Sequence, residues 1–196
     1  MESTHHPKRI ISTWAGTVIE ITGLNIGFAF LYLTSLTSIP ILKFVALLFS
    51  WFCFWNFSHR LAHFIVGKLL GIRFLYYFIG RSSLVKLKFP IITSLIKPIP
   101  VLGIKIDKSS LKNTSRYGRS ITYASGALAS MLSPLIPFFY ALIYTEQLIA
   151  ILIGILTIGN IIFTLYFSSK VGDFYKAKKG TTKRTTISSH ITLNTA

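Results

Sequence analysis

The segment Trp51–His63 has the sequence WFCFWNFSHRLAH, in which a strongly apolar run ends in two histidines four positions apart. The run begins near Ile39, so a helix that continues through His63 would carry both imidazoles on one face of its last turns. Of the 196 residues, 52% are hydrophobic, and the mean hydropathy is positive. Soluble domains seldom combine this composition with long apolar tracts. The sequence therefore predicts a membrane protein.

Four apolar tracts are near or above the ~20 residues that a helix needs to cross a hydrocarbon core. They cover about residues 11–36, 39–66, 121–144 and 148–170. Between the second and third tracts, FLYYFIG, VKLKF and PIPVLGIKI alternate like strands and predict a small interfacial β-rich insertion over about residues 74–107. We expect an α-helical polytopic membrane protein, with one membrane domain over residues 1–175 and a basic, disordered tail over residues 176–196.

The charged residues predict the orientation of these spans. The chain has 21 Lys and Arg against 5 Asp and Glu, a formal net charge of +16, but no aromatic-and-basic motif that would indicate nucleic acid as a partner. The basic residues precede the first span, fill the middle loop and follow the fourth span, whereas the turns near Ser38 and Thr145 have none. By the positive-inside rule, both termini of this multi-pass cell-membrane protein are cytoplasmic. Membrane lipids are the simplest partners, at ~1 kcal/mol per basic residue near anionic headgroups.

This orientation brings three candidate metal ligands to one depth. Spans two and four both run toward the cytoplasm, so His59 and His63 at the end of one should lie level with Asp173 at the end of the other. Two histidines and a carboxylate can hold one zinc ion and leave a fourth position for water. The alternative is a chance pair of interfacial histidines whose rings reach toward the headgroups.

The neighbourhood of these residues resembles the site-2 protease family of intramembrane zinc metalloproteases and its small zincin-like relatives. SHRLAHFIVGKLLGIRF is similar to the family's helix with H-E-x-x-H, and KPIPVLGIKID, YASGALASML and VGDFYK are similar, in the same order, to its β-rich segment, its G-P-x-x-N helix and its aspartate motif. The resemblance covers about residues 52–176. It implies zinc held by His59, His63 and Asp173, and a transmembrane or extended segment as substrate or client.

The sequence departs from the family at the residue that performs the chemistry. Arg60 stands where the family has the glutamate that takes a proton from zinc-bound water, and an arginine cannot accept that proton. Its charge should also weaken zinc binding. Ala127 and Ser130 replace the proline and asparagine of the third motif. Gly126 and Ser130 are also spaced for close helix packing.

A substitute base would have to come from Glu20 or Asp107. An acid inside the first span is a functional candidate, and one option is that Glu20 pairs with Arg60. Glu20 is also near enough to the start of the span to meet water. Asp107 follows a strand-like segment and is more typical of a solvated loop acid.

Three hypotheses about function follow. The first is an impaired, metal-binding pseudoprotease that binds transmembrane or extended segments, the second an active zinc metalloprotease with another base, and the third a non-enzymatic protein that recognises anionic lipid or phosphate. The first predicts that Arg60→Glu raises cleavage by about 10²-fold or more. The oligomeric state is left open.

Overall fold

The computed structural model describes residues 9–81 and 100–182, which are mostly helical with one small sheet. The elements are, in chain order, β1 (Arg9–Ile11), α1 (Thr13–Leu36), α2 (Pro40–Leu69), β2 (Phe74–Arg81), β3 (Pro100–Ile106), α3 (Lys108–Asn113), α4 (Arg116–Leu132), α5 (Leu135–Tyr144), α6 (Gln147–Lys170) and α7 (Asp173–Thr182).

Four helical segments are long and apolar enough to span a membrane, as the sequence predicts. They are Thr13–Leu36, Pro40–Leu69, Arg116–Tyr144 and Gln147–Lys179. Large apolar side chains remain exposed on the outward faces of these segments, among them Phe28, Phe52, Leu142 and Ile155. An outer surface of this kind is typical of helices that face lipid.

α1 and α2 form an antiparallel hairpin whose close packing depends on glycine. Ser12 caps α1 by accepting a hydrogen bond from the backbone N–H of Ala15, and Pro40 occupies the first turn of α2, where no backbone donor is needed. In α1, Gly23 lies against the ring of Phe57, and a Cβ at this position would collide with that ring. The two backbones therefore approach closely.

The third predicted span is broken into two helices. α4 ends at Leu132 and α5 begins at Leu135, because Pro134 lacks a backbone donor and its ring interferes with a continuous helix. The Ser133 hydroxyl lies 2.9 Å from the carbonyl oxygen of Phe54 and so fastens the break to α2.

The last long helical segment is interrupted near its C-terminal end. α6 ends at Lys170 and α7 starts at Asp173, with Val171 and Gly172 between them. The backbone N–H of Asp173 donates to Ser168 Oγ at 3.1 Å, so a hydroxyl from α6 caps the start of α7. α7 continues to Thr182 and thus includes the first part of the segment predicted as a disordered tail; the rest of that segment lies outside the described residues.

The sheet is antiparallel, with the strand order β1-β2-β3. β2 and β3 fall within the predicted β-rich insertion, and the predicted strand VKLKF at residues 85–89 lies outside the described residues. β1 was not predicted: it precedes the first span and pairs Ile11 with Tyr77 of β2.

An apolar core joins α1, α2, α5 and α6. Its buried residues are Leu31, Leu47, Trp51, Phe54, Ala141, Ile149, Ala150 and Ile153. Trp51 Nε1 donates to Thr157 Oγ1 at 3.0 Å, which satisfies both polar groups inside this core. The core links α2 to α6 and so sets the C-terminal ends of these two helices on the same side of the molecule.

Candidate metal centre

The structure brings His59, His63 and Asp173 together. The two histidines lie one turn apart on α2, and Asp173 is the first residue of α7. The ligand atoms of the three residues lie within 4.8 Å of one another. Asp173 Oδ2 is 3.2 Å from His59 Nε2 and 3.3 Å from His63 Nε2. The predicted convergence of spans two and four at one depth is therefore present.

The tautomer of His63 follows from its other ring nitrogen. His63 Nδ1 lies 2.6 Å from the backbone carbonyl oxygen of Thr122. A carbonyl oxygen only accepts, so Nδ1 carries the proton and donates it. In the neutral ring, Nε2 then presents its lone pair toward Asp173.

His59 is held in the same way by a hydroxyl. His59 Nδ1 is 2.7 Å from Ser130 Oγ, and that hydroxyl is also 2.8 Å from the carbonyl oxygen of Gly126. When the single proton of Ser130 Oγ is donated to this carbonyl, the hydroxyl oxygen accepts from His59 Nδ1. In that tautomer the Nε2 atom of His59 also presents a lone pair toward Asp173.

With both imidazoles protonated on Nδ1, three lone pairs meet at one point, and a cation between them stabilises the arrangement. The cation is either a proton on an imidazole or a metal ion. With bonds of 2.0–2.1 Å, the edge of a tetrahedral zinc site is about 3.3 Å, close to both separations of Asp173 Oδ2 from the Nε2 atoms. The donor set, the tautomers and the spacing all fit a divalent metal ion.

The carboxylate of Asp173 has a second partner on its other oxygen. Lys176 Nζ donates to Asp173 Oδ1 at 2.9 Å, one turn further along α7. Oδ2 remains directed to the histidines. Such a hydrogen bond orients a carboxylate and is typical of the groups that surround metal ligands.

The small-residue helix α4 forms a wall of this site. A Cβ at Gly126 would collide with the ring of His63, so only glycine leaves room for this imidazole. Ser130, one turn further on, holds His59 as described. The sequence indicated close helix packing for this pair of residues, and the packing partners are the two histidines themselves.

Arg60, the residue in the position of the family's glutamate, is engaged with α1. Its Nε donates to Glu20 Oε1 at 2.5 Å, and the side chains are 12% and 0% exposed. Successive helical residues point about 100° apart, so Arg60 leaves α2 on a different face from His59. Among the described residues, the cluster of ligand groups contains only the two histidines and Asp173, so Glu20 is outside it.

Two further acids have structural partners. Asp107 caps α3, and hydrogen bonds from the hydroxyl and backbone of Ser109 hold the pKa of Asp107 below its usual value. Glu146 accepts from Lys43 Nζ at 2.8 Å, and this hydrogen bond lowers the pKa of Glu146. Asp107 is thus placed as a helix cap rather than as a base at the cluster.

Sequence reasoning missed several residues that support the site. Thr122 acts through its backbone carbonyl, which no sequence signal reveals. Asn160 on α6 donates from Nδ2 to the carbonyl oxygen of Ser130 at 2.8 Å and is buried. An asparagine within a membrane-length apolar tract is a usable signal, because amides there need a partner.

No protein-family model, curated protein or solved structure matches this chain. The resemblance to the site-2 protease family therefore stays a prediction that rests on the order and spacing of the four motifs.

Proposed function

We propose that this chain is a multi-pass membrane protein that binds zinc through His59, His63 and Asp173 and has little peptidase activity. In this proposal it belongs with the site-2 proteases as a pseudoprotease. It binds a transmembrane or extended segment of a client protein without cutting it efficiently.

The observation that carries the proposal is the placement of the two imidazoles. Both Nδ1 atoms lie within hydrogen-bond distance of acceptors on α4, and both Nε2 atoms face the same carboxylate oxygen. A chance pair of interfacial histidines would not need two such hydrogen bonds behind it. The pattern matches that of metal-bound histidines, whose second nitrogen donates to a carbonyl or other acceptor.

Membrane insertion is supported by the surface and charge of the protein. The four long helices expose large apolar side chains, and the turn with Glu146 is separated from the basic segments by the length of the spans. Both termini are proposed to be cytoplasmic, which places the metal centre at the cytoplasmic boundary.

A bound zinc ion would polarise a carbonyl oxygen and acidify a water molecule. What the protein must add for peptide hydrolysis is a group that takes a proton from that water and gives it to the leaving amine, a role typically worth about 10²–10⁴ in rate. Arg60 cannot accept a proton, and Glu20 is held by Arg60. Impaired catalysis follows from the side chains present.

Metal analysis of the purified full-length protein tests the proposal. About one zinc per chain is expected after mild extraction, with loss of zinc in His63→Ala and in the nearly isosteric Asp173→Asn. Glu146→Gln is the matched control, because it removes an acid that lies away from the cluster. Equal, near-zero zinc in the parent and all variants, including after incubation with zinc, would contradict the proposal.

A membrane-embedded reporter peptide distinguishes the pseudoprotease from the second hypothesis. The parent protein should cleave it very slowly or not at all. Brisk cleavage that His59→Ala abolishes would instead favour an active metalloprotease with another base. Lipid analysis of the same preparation addresses the third hypothesis, which requires a defined anionic lipid to be retained whether or not zinc is bound.

A further inference from the structure

We propose that Glu20 is the counter-charge that lets the His59, His63 and Asp173 cluster bind a dication beside Arg60. This inference rests on the proposed metal site and assigns a role to a residue outside it. Glu20 acts through Arg60, so it is a positioning and charge-balancing residue rather than a ligand.

The geometry of the α1–α2 interface places Glu20 opposite Arg60. On the buried face of α1, Gly23 lies against Phe57 and Gly27 lies against Cys53, and Glu20 continues this antiparallel register one turn earlier. The pair is therefore set by the packing of the whole hairpin.

The carboxylate of Glu20 has little besides Arg60 to balance its charge. Glu20 is completely buried, and among the described residues its Oε2 has no hydrogen-bond partner. The buried ring of Tyr77 packs against Gly16, one turn before Glu20 on α1, and covers that side of the Glu20 carboxylate from solvent. A buried carboxylate with one free oxygen is costly unless a cation is close. Its function is to neutralise the guanidinium.

Neutralisation matters because Arg60 directly follows a ligand. As a general scale, a positive charge held about 10 Å from a divalent ion at an effective dielectric constant of about 20 weakens binding by on the order of a hundredfold. The Glu20–Arg60 pair has no net charge, so this penalty largely disappears. The cluster can then keep the affinity that its ligand set provides.

Zinc affinity of the full chain in detergent, measured by competition with a chromophoric chelator, tests this role. Glu20→Gln keeps an oxygen that accepts from Arg60 Nε but removes the charge, and zinc should bind about tenfold to a hundredfold more weakly. The double variant Glu20→Gln, Arg60→Met is neutral at both positions and should return close to the parent affinity. Glu146→Gln is the control for removing a paired acid elsewhere, and its affinity should equal that of the parent.

Thermal unfolding in zinc-free buffer shows whether Glu20→Gln is folded. If it is, a change in its zinc affinity can be assigned to the lost charge and not to a damaged structure. If Glu20→Gln is folded and binds zinc as tightly as the parent, the inference is wrong while the metal site stands. If the parent and the Glu146→Gln control bind no zinc, the proposed function fails and the inference falls with it. A weakened Glu20→Gln that Arg60→Met does not rescue also overturns it.

A fourth variant covers failure of Glu20→Gln to fold. Glu20→Asp keeps the charge but shortens the side chain, so the contact with Arg60 lengthens. Charge balance predicts zinc affinity near that of the parent. A folded Glu20→Asp protein with strongly weakened zinc binding would show that the contact, and not the charge, is what matters, and would overturn the inference.

Discussion

The hydrogen bonds behind the two histidines decide what those histidines can do. Thr122 and Ser130 each lie at hydrogen-bond distance from an Nδ1 atom, so the Nε2 atoms are the ones that face Asp173 and are available to a cation. These partners come from α4, whereas the histidines are on α2. Single residues of a neighbouring helix thus determine the protonation pattern on which a metal centre depends.

Ser130→Ala should weaken zinc binding by about 10–100-fold, the usual cost of removing a hydrogen-bond partner from a ligating histidine. His59 would lose the acceptor that fixes its tautomer and ring orientation. Zinc titration of the purified variant measures the effect, with Ser169→Ala as the control because that exposed hydroxyl bonds only within α6. Equal affinity in both variants would show that Ser130 does not orient His59.

The structure changes the expected result of restoring H-E-x-x-H. In Arg60→Glu, the new carboxylate would face the buried Glu20, and two like charges without a cation would be destabilising. We expect the single variant to unfold at a lower temperature than the parent. Glu20→Gln with Arg60→Glu removes this repulsion.

If the scaffold is otherwise competent, that double variant should cleave a membrane-embedded reporter at least about 10²-fold faster than the parent. The same double variant with His63→Ala is the control and should be inactive. A folded, zinc-bound double variant with no gain in cleavage would mean that Arg60 is not what limits catalysis.

At the scale of elements, Gly126 of α4 leaves the room that the His63 ring of α2 occupies. Gly126→Ala would drive a methyl group into the His63 ring, which cannot retreat without losing its bond to Thr122. We expect zinc affinity to fall at least about tenfold, since ligand orientation is lost.

Gly159→Ala is the matched control, because a Cβ there meets nothing within 4 Å and alanine favours a helix. It should bind zinc like the parent and be at least as stable. Identical zinc affinity in Gly126→Ala and Gly159→Ala would contradict the account of the α2–α4 contact.

Sequence patterns predicted the long elements well and the interruptions poorly. Apolar length alone locates the four spans, and alternation locates β2 and β3. The break between α4 and α5 could not be predicted, because a proline such as Pro134 can either kink a helix or end it, and the packing around it decides which. β1 has three residues, too few for a periodic signal, and exists because β2 offers it an edge.

The residues of the candidate site were likewise predictable only in part. His59, His63 and Asp173 were predictable from the i, i+4 spacing and from the shared depth of two spans. The pairing of Glu20 with Arg60 was anticipated only as one option for an acid inside a span. Thr122 was not predictable, because a backbone carbonyl carries no residue-specific signal.

At the scale of the whole molecule, the charge distribution predicts which ends face the cytoplasm. In a Cys53→Ala background, a cysteine in place of Gln147 should react with a membrane-impermeant maleimide on intact cells. A cysteine in place of Lys112 on α3 should react only after the cells are opened. The reverse pattern would invert the orientation and place the metal centre on the outer side.

X-ray absorption at the zinc edge would show whether a bound zinc ion is held by two imidazoles and one carboxylate. For the zinc-loaded parent protein we expect a four-coordinate N/O shell at about 2.0–2.2 Å, with the multiple-scattering signal of about two imidazoles and no sulfur. His63→Ala should lose one imidazole contribution or the metal altogether. A sulfur shell near 2.3 Å, or a zinc shell without imidazole, would contradict the account.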